Sequence, residues 1–388
     1  MSIAQNRDSW LSSLVASAKE ISIIALAEAS QTDAIDAFPE RTLALIKDRK
    51  LLVAGVSSKF GGADLGLLPG TNLAMLQILK NIGSGNLVMG RVLEGHINAQ
   101  LLISEFGDEA QKKMFAEDAF DGRLFGVWNT QANDGTSFSS LKTDTNFLNG
   151  SKTFATGTDY VSRPIVTAAF PDGSWQMCIV PIDKISSHKD TSWWHPMGMR
   201  ASRSYKLSFD KAPIPANYLL GEVGSYYKQP GFSGGAVRFA AVQLGAAESL
   251  LDETRNYLQS LNRIDDPYQK LRLGQMTINV VSGNQWIQGA AKQLDNYMSD
   301  PSQENIDRFL AFANMMRTAI EQICVATMEL CQKCVGARGL NAPYHFGRII
   351  RDLNTYLRQP APDASLADVG QFVLQNKSPC NELWNEKN

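Results

Sequence analysis

The chain has 388 residues, of which 44% are hydrophobic and 20% are charged, and its formal net charge is −2. This composition is typical of a globular protein of two or three cooperating domains, and it provides no bulk attraction to nucleic acid or to an anionic membrane. The polar start does not resemble a signal peptide, and no window approaches the roughly 18 uninterrupted apolar residues of a membrane span. Five cysteines without framework spacing fit a reducing compartment. We therefore expect a cytoplasmic protein that does not cross a membrane.

Helical periodicity dominates the first third of the chain. Apolar residues recur at helical spacing over residues 10–29, and Pro39 is placed to open a second helix at its first position. Further helices are predicted over residues 71–81, 86–104 and 109–115. A glycine-rich loop at residues 60–66 lacks the spacing of a nucleotide-binding fingerprint. These features predict an N-terminal α-helical domain over residues 1–121.

Short apolar segments at close spacing replace the helical pattern from about Gly122. Strands are predicted over residues 124–128, 141–145, 152–156, 165–170, 176–181 and 205–209. Asn149-Gly150 predicts a type I′ hairpin turn, because both central residues of that turn need φ > 0. We predict a central β-barrel or sandwich over residues 122–232.

The helical period returns at Ala236. Long helices are predicted over residues 236–260, 267–297 and 302–334, followed by a glycine-containing loop at 335–341 and a short helix that starts at Arg348. The prolines at 360 and 362 should break that helix. Long helices with short connections favour an antiparallel bundle, here over residues 233–388. The predicted fold class is therefore α+β and multi-domain: α-helical domain, β domain, helix bundle.

Phe154 and Thr156 lie two residues apart in the predicted strand 152–156, so their side chains should share a face. An aromatic ring and a hydroxyl on one face suit a flat heteroaromatic ligand, which stacks on the ring and hydrogen-bonds the hydroxyl. A half-buried strand with an ordinary Phe and Thr explains the same pair. The stretch alone leaves both interpretations open.

The order of five segments gives the chain a family resemblance over nearly its full length. The segments are residues 60–66 (FGGADLG), 148–157 (LNGSKTFATG), 197–205 (MGMRASRSY), 209–221 (FD, then IPANYLLG) and 336–339 (GARG) with 348–352 (RIIRD). Together they resemble the acyl-CoA dehydrogenase family of flavoproteins. The resemblance implies FAD, with its isoalloxazine ring against the β domain. It says less about the reaction, because one fold hosts several chemistries.

Residue by residue, the resemblance implies a flavin site in the β domain. Phe154 and Thr156 take the places of the family's flavin-contacting aromatic and hydroxyl residues, and Val127 and Trp128 lie where the family runs a strand past the ring edge. Trp128 replaces a small hydroxyl residue. The family serine that touches cofactor or substrate corresponds to Asn133, or to Asp134 in the alternative register.

The resemblance also implies that a second subunit completes the site. Gly336 and Arg338 belong to the loop that serves the adenosine diphosphate half of FAD in a neighbouring subunit, and glycine-freed amides with one cation suit a pyrophosphate. Arg263 matches the family's pyrophosphate arginine, although the usual Phe-Gly after it is replaced. A shared cofactor implies a homodimer or homotetramer.

The family's catalytic glutamate is missing. Counting eight residues from Asp352 gives Pro360, and the position that a second branch uses, before Arg238, holds Val237. Removal of a weakly acidic α-proton needs a positioned base. The nearest carboxylate, Asp363, is the candidate base if the proline turn folds it inward.

Three functions remain open from the sequence. The first is an FAD-dependent dehydrogenase that oxidises an acyl thioester, such as an acyl-CoA, and passes electrons to an acceptor flavoprotein. The second resembles monooxygenases or oxidases of the same fold, which take reduced flavin from a separate reductase, use oxygen and need no such base. The third is a catalytically silent flavin-binding scaffold.

Other reactive residues receive structural interpretations. His96 on a predicted helix favours packing, with a substrate-side role left open. Cys331 and Cys334 have redox or zinc spacing but sit in an apolar helix, which favours buried thiols. Trp193 and Trp194 are assigned no chemistry.

Overall fold

The structure is a computed structural model that describes residues 3–140, 145–358, 361–379 and 382–384. Helices occupy the chain up to Phe120, strands follow between Leu124 and Leu220, and helices resume at Gly231. This order confirms the predicted fold class of a helical domain, a β domain and a C-terminal helical region.

The N-terminal domain is built from five helices. They are α1 (Ile3–Gln31), α2 (Glu40–Asp48), α3 (Asn72–Gly85), α4 (Leu87–Phe106) and α5 (Glu109–Phe120). Pro39 was predicted to be the first helical residue of α2, but it is the residue before the helix. Asn86 caps α4, because its side chain accepts hydrogen bonds from the amides of Val88 and Met89.

By length and composition, the segment Arg7–Gln31 of α1 qualifies as a helix that could cross a membrane, contrary to the expectation that no segment would qualify. Leu14, Ala18 and Ile21 on this helix are buried in the main hydrophobic core, and α1 packs against α3. One face of α1 therefore belongs to the core of the N-terminal domain.

The β domain is one eight-stranded sheet. Its strands are β1 (Leu124–Trp128), β2 (Ser137–Ser140), β3 (Thr145–Ala155), β4 (Val161–Ala169), β5 (Trp175–Ile179), β6 (His188–Asp190), β7 (Tyr205–Pro215) and β8 (Leu219–Leu220). The order is β6-β7-β3-β2-β4-β5-β8, and β1 pairs in parallel with β4. The predicted strand 141–145 falls mostly on residues 141–144, outside the described residues, and β2 was not predicted.

The predicted hairpin turn at Asn149-Gly150 is wrong. Strand β3 runs straight through both residues, and its register against β7 shifts between Leu148 and Gly150. Gly150 has φ = 90°, and the Asn149 side chain accepts a hydrogen bond from the Lys211 amide at 2.9 Å. The pair forms a β-bulge, which uses the same left-handed glycine that a hairpin turn would use.

The C-terminal region contains six helices. They are α6 (Gly231–Gly234), α7 (Ala236–Ser260), α8 (Pro267–Ser299), α9 (Gln303–Gly339), α10 (Phe346–Tyr356) and α11 (Pro362–Gln375). Helix α7 packs against α8, α9 and α3, so it joins the bundle to the N-terminal domain. The predicted loop at 335–341 lies partly inside α9, which is kinked at Gly336 (φ 59°, ψ −170°). Helix α11 was not predicted, because Pro362 opens a helix here at its first turn.

The bulge predicts a specific cost for Gly150→Ala. A Cβ at Gly150 would lie 2.4 Å from the Gly135 carbonyl oxygen, whereas a Cβ at Gly173, with φ = 83°, would meet no atom within 4 Å. Both substitutions carry the strain of a left-handed alanine, about 1–2 kcal/mol. Only Gly150→Ala adds an overlap with backbone, so it should lower the free energy of unfolding by at least about 1 kcal/mol more than Gly173→Ala. Chemical denaturation measures the free energy of unfolding of both variants. Equal losses of stability would contradict the close backbone approach at the bulge.

Candidate functional site

Helix α4 lies directly against strand β1. A Cβ built on Gly95 would be 3.9 Å from the Gly126 Cα and 4.0 Å from the Val127 amide nitrogen. An alanine methyl at position 95 would meet the strand in ordinary van der Waals contact, so the two backbones lie one methyl group apart. The close approach fixes where the C-terminal half of β1 stands relative to α4.

His96 strengthens the same junction. Its ring is buried, its Nδ1 accepts a hydrogen bond from the Phe125 amide at 3.0 Å, and its Nε2 lies 2.7 Å from the Leu52 carbonyl oxygen. These partners assign the proton to Nε2 in a neutral ring. Burial lowers the pKa of His96 to about 4, and the bond to the Leu52 carbonyl only partly opposes that shift. His96 is a packing residue, as the sequence favoured.

A cavity of about 460 Å³ lies where the three domains meet. Val127 contributes to its wall from β1, α3 and α4 contribute from the N-terminal domain, and α6 to α9 contribute from the C-terminal region. This volume suits a small organic ligand. The cavity therefore places one predicted cofactor-side residue, Val127, beside a site large enough for a substrate.

The cavity wall is largely apolar, with a few polar groups. Apolar wall residues include Met75, Leu101, Leu102, Leu294 and Phe309; the polar ones include Asn98, Glu105, Tyr226, Arg238 and Tyr297. The sequence did not single out these polar residues as a site, since they come from distant segments. In the sequence analysis, Arg238 was used only to identify Val237 as the base position before it.

A chain of hydrogen-bonded polar side chains reaches the cavity wall at Asn98 and Arg238. Arg91 forms an ion pair with Glu94, Glu94 accepts a hydrogen bond from Asn98, and Asn98 accepts one from Arg238 Nε. Glu94 and Arg238 are both buried. The chain joins α4 to the first turn of α7, so it ties the N-terminal domain to the bundle.

In the sequence, neither of the family's two base positions holds a carboxylate, because they are Val237 and Pro360. Val237 is fully buried in α7, and Pro360 lies outside the described residues. Asp363 is exposed in the first turn of α11 and does not line the cavity, so the proline turn does not fold it inward. Among the described wall residues, Glu105 alone carries a carboxylate. Burial raises the pKa of Glu105, and Lys228 and Arg238 oppose that shift.

Phe154 presents an aromatic platform on the β domain. Its side chain is 50% exposed, and its ring packs edge-to-face on Trp193 and Trp194, with centroids 4.8 and 6.0 Å away. The sequence had assigned no role to this tryptophan pair. The two indoles position the Phe154 ring, and its exposed half is available to a flat ligand.

Thr156 stands beside Phe154 for a different reason from the predicted one. Strand β3 ends at Ala155, Phe154 has φ = 53°, and the Thr156 amide donates to the Phe154 carbonyl oxygen at 2.7 Å. A tight turn, not strand alternation, brings the two together. The Thr156 hydroxyl lies 2.9 Å from the Ser204 hydroxyl.

Trp128 and Asn133 occupy contrasting places. The Trp128 indole is buried and its Nε1 donates to the Thr156 carbonyl oxygen at 2.9 Å, so it holds Thr156 from inside the domain. Asn133 is exposed in a turn after β1. The aromatic platform, the adjacent hydroxyl and the strand end at Val127 fit the flat ring system of a flavin.

The remaining predicted cofactor residues gather at one end of the bundle. Gly336, Arg338 and Arg263 are exposed, and the Tyr257 hydroxyl donates to the Val335 carbonyl oxygen at 3.4 Å, which brings the ends of α7 and α9 together. Within the described residues, the side chains of Arg263 and Arg338 have no hydrogen-bond or ion-pair partner. Two unpaired cations beside a glycine kink fit an external phosphate group.

Comparison with known proteins supports the family prediction. Residues 223–357 match the family described as "Acyl-CoA dehydrogenase, C-terminal domain". The chain is 20% identical to dibenzothiophene monooxygenase of Mycolicibacterium goodii, covering 78% of this chain and 81% of the relative. It is 25% identical to a probable acyl-CoA dehydrogenase, YngJ, of Bacillus subtilis (strain 168), covering 84% and 87%.

Solved structures agree on the fold. FMN-bound TdsC from Paenibacillus sp. A11-2 superposes with a TM-score of 0.83 at 17% identity, covering 97% of this chain and all of that one. Butyryl-CoA dehydrogenase from Megasphaera elsdenii superposes with a TM-score of 0.80 at 19% identity, covering 94% and 98%.

The neutral, buried His96 predicts a pH dependence. Its pKa of about 4 in the folded chain lies below the ordinary 6.5, so the unfolded chain takes up the proton first. The contribution of His96 to stability is therefore complete above pH 6.5 and falls by about 1.4 kcal/mol per pH unit down to about pH 4. The stability advantage of the native protein over His96→Gln should shrink as pH falls from 7 to 4.5, by chemical denaturation at several pH values. A constant advantage would show that His96 takes up its proton as readily in the folded chain as in the unfolded chain, so that its pKa is not lowered.

Proposed function

Since the chain belongs to the acyl-CoA dehydrogenase family, we propose that it is a flavin-dependent monooxygenase that oxygenates a small, largely apolar substrate in the cavity beside Val127. The observation that supports this proposal is that neither base position of the family holds a carboxylate, since they are Val237 and Pro360, and that Glu105 is the one carboxylate among the described wall residues. A dehydrogenase needs a base there, whereas oxygen chemistry on flavin does not.

Glu105 stands too far along α4 to take that role. It lies ten residues beyond Gly95, the point where α4 touches β1. At 1.5 Å per residue, this separates Glu105 from the contact by about 15 Å along the helix axis. A base for an α-proton must reach hydrogen-bond distance of the reacting carbon.

The chain's own residues would bind and enclose the reactants. Phe154 would support the flavin ring, Thr156 would offer a hydroxyl to its edge, and Val127 would separate the ring from the substrate cavity. When bound and reduced, a flavin supplies two electrons to O2, so that one oxygen atom enters the substrate and the other leaves as water. The apolar wall would exclude bulk water from that chemistry.

The similarity to dibenzothiophene monooxygenase supports this choice. Dibenzothiophene monooxygenase and a probable acyl-CoA dehydrogenase both align over most of the chain. Reduced flavin from a separate reductase is the partner that the proposal requires.

We propose FAD as the flavin and a homodimer or homotetramer as the assembly. Gly336, Arg338 and Arg263 of one copy would hold the pyrophosphate of the FAD bound by another. Exposed apolar residues on α8 give such an assembly a surface to bury: Tyr268, Leu271, Ile278 and Val281.

Phe154→Ala should weaken flavin binding about tenfold, because loss of one stacking contact costs about 1–1.5 kcal/mol. Phe120→Ala is a matched control, since Phe120 is also 50% exposed but lies at the end of α5. Fluorescence titration measures both dissociation constants. An unchanged affinity of Phe154→Ala for flavin would contradict the proposed flavin position.

The same titration, repeated with FAD and FMN on Arg338→Ala, separates the two ends of the cofactor. If Arg338 holds the pyrophosphate, this variant should weaken FAD binding and leave FMN binding unchanged. Equal effects on both flavins would remove Arg338 from the site.

Oxygenation itself is tested by isotope labelling. The flavin-loaded protein is reduced without oxygen and then mixed with ¹⁸O₂ and dibenzothiophene or another apolar heteroaromatic compound. We expect product that carries one ¹⁸O atom, and we expect Glu105→Gln to give the same yield. Unlabelled substrate throughout, together with acyl-CoA-driven flavin reduction that Glu105→Gln abolishes, would favour the dehydrogenase with Glu105 as its base.

A further inference from the structure

Arg238 is a buried cation on an otherwise largely apolar wall. It belongs to the first turn of α7, lines the cavity and is only 9% exposed. An arginine this deeply buried is unusual unless its charge is compensated. The groups that balance the charge of Arg238 therefore indicate which ligand the cavity binds.

The protein satisfies only one of the donors of Arg238. Its Nε donates to the Asn98 side-chain oxygen, which is neutral. Among the residues that the structure describes, no acceptor lies within hydrogen-bond distance of Nη1 or Nη2, and no carboxylate lies within 4.0 Å of the guanidinium. The two Nη groups are the pair that grips a planar oxyanion through two parallel hydrogen bonds.

The nearby acids are engaged elsewhere. Glu94 is taken by Arg91 and Asn98. Glu105 lies seven residues beyond Asn98 on α4, which is about 10 Å along the helix, and Lys228 acts on it from another side. Glu94 and Glu105 therefore act on Arg238 through space and not through an ion-pair contact, which leaves its two Nη groups without a protein acceptor among the described residues.

The backbone leaves room for that charge. A Cβ on Gly235 would lie 3.1 Å from Arg238 Nη2. Glycine at position 235 therefore lets the guanidinium sit against the start of α7, with its remaining donors at the cavity.

We propose that the cavity binds a substrate with a carboxylate on an apolar body, and that Arg238 recognises the carboxylate through both Nη groups. Leu101, Leu102 and Phe309 would receive the apolar body. Asn98 lies one helical turn from Gly95, so the carboxylate end would face β1 and Val127. The inference rests on the proposed function for the site's chemistry, but the recognition is measured without turnover.

The test compares two ligands of one shape. Naphthalene-2-carboxylate and naphthalene-2-carboxamide are titrated into the flavin-loaded protein at pH 7.5 by calorimetry. The native protein should bind the carboxylate at least about tenfold more tightly than the amide, because hydrogen bonds to a charged group are the stronger ones. Arg238→Met should abolish the preference while amide binding stays within about twofold, and Arg238→Lys should keep part of it.

Arg317→Met is the matched control. The Arg317 guanidinium packs over the ring of Phe239, the residue after Arg238, but Arg317 does not line the cavity. This variant should keep the full preference. If Arg238→Met does not fold, Gly235→Ala replaces it, and its crowding of Nη2 should lower the preference.

The outcomes separate the two claims. Equal binding of both ligands by the native protein, or a preference that survives Arg238→Met, overturns the carboxylate assignment even if ¹⁸O enters a neutral substrate. A preference that depends on Arg238, without any labelled product, upholds the assignment and removes the monooxygenase proposal alone.

Discussion

The contact of α4 with β1 is the constraint on which the site depends. The helix backbone at Gly95 lies close to Gly126 and Val127 of the strand, and the next residue, His96, is hydrogen-bonded to both the Phe125 amide and the Leu52 carbonyl oxygen. A buried neutral histidine with both nitrogens engaged has little freedom to move. Because β1 ends at Trp128, this contact fixes where the strand releases the chain towards the turn that contains Asn133.

That contact also sets the shape of the cavity. The middle of α4 is held on the sheet, its first turn packs against α3 and α7 at Gly90, and Asn98 reaches the start of α7. The space left between these elements is large enough for a small ligand and is bounded by all three domains. The functional site is thus a product of domain packing and belongs to no single domain.

Buried charge explains why the polar chain is organised as it is. Arg91 and Asn98 both serve Glu94, so that carboxylate is fully compensated, while Arg238 receives only an amide oxygen. Glu94 and Glu105 act on Arg238 without touching it, and a buried cation that lacks a direct ion-pair contact is costly in a low-dielectric site. An anionic ligand that binds at the cavity wall would offset this cost by giving Arg238 a direct counter-charge.

The sequence predicted elements better than contacts. Strand β1 and helix α7 have the predicted bounds because their patterns are local and strongly periodic. The hairpin turn predicted at Asn149-Gly150 was wrong, because a left-handed glycine is found in β-bulges as well as in turns.

The site itself was only partly predictable. Phe154 and Thr156 were found together, but through a tight turn that alternation does not describe. The burial of Trp128 and the position of Arg238 on the cavity wall depend on segments more than a hundred residues apart, which no local pattern encodes.

The measurement that tests the central claim most directly is an anaerobic titration of the FAD-loaded protein with acyl-CoAs of different chain lengths. Absorbance of the oxidised flavin reports hydride transfer from the substrate. With Val237 at the base position, the flavin should stay oxidised with every thioester, although dithionite reduces it fully. Bleaching by any acyl-CoA would show that a base reaches the α-carbon, and would contradict the assignment of this cavity to oxygen chemistry.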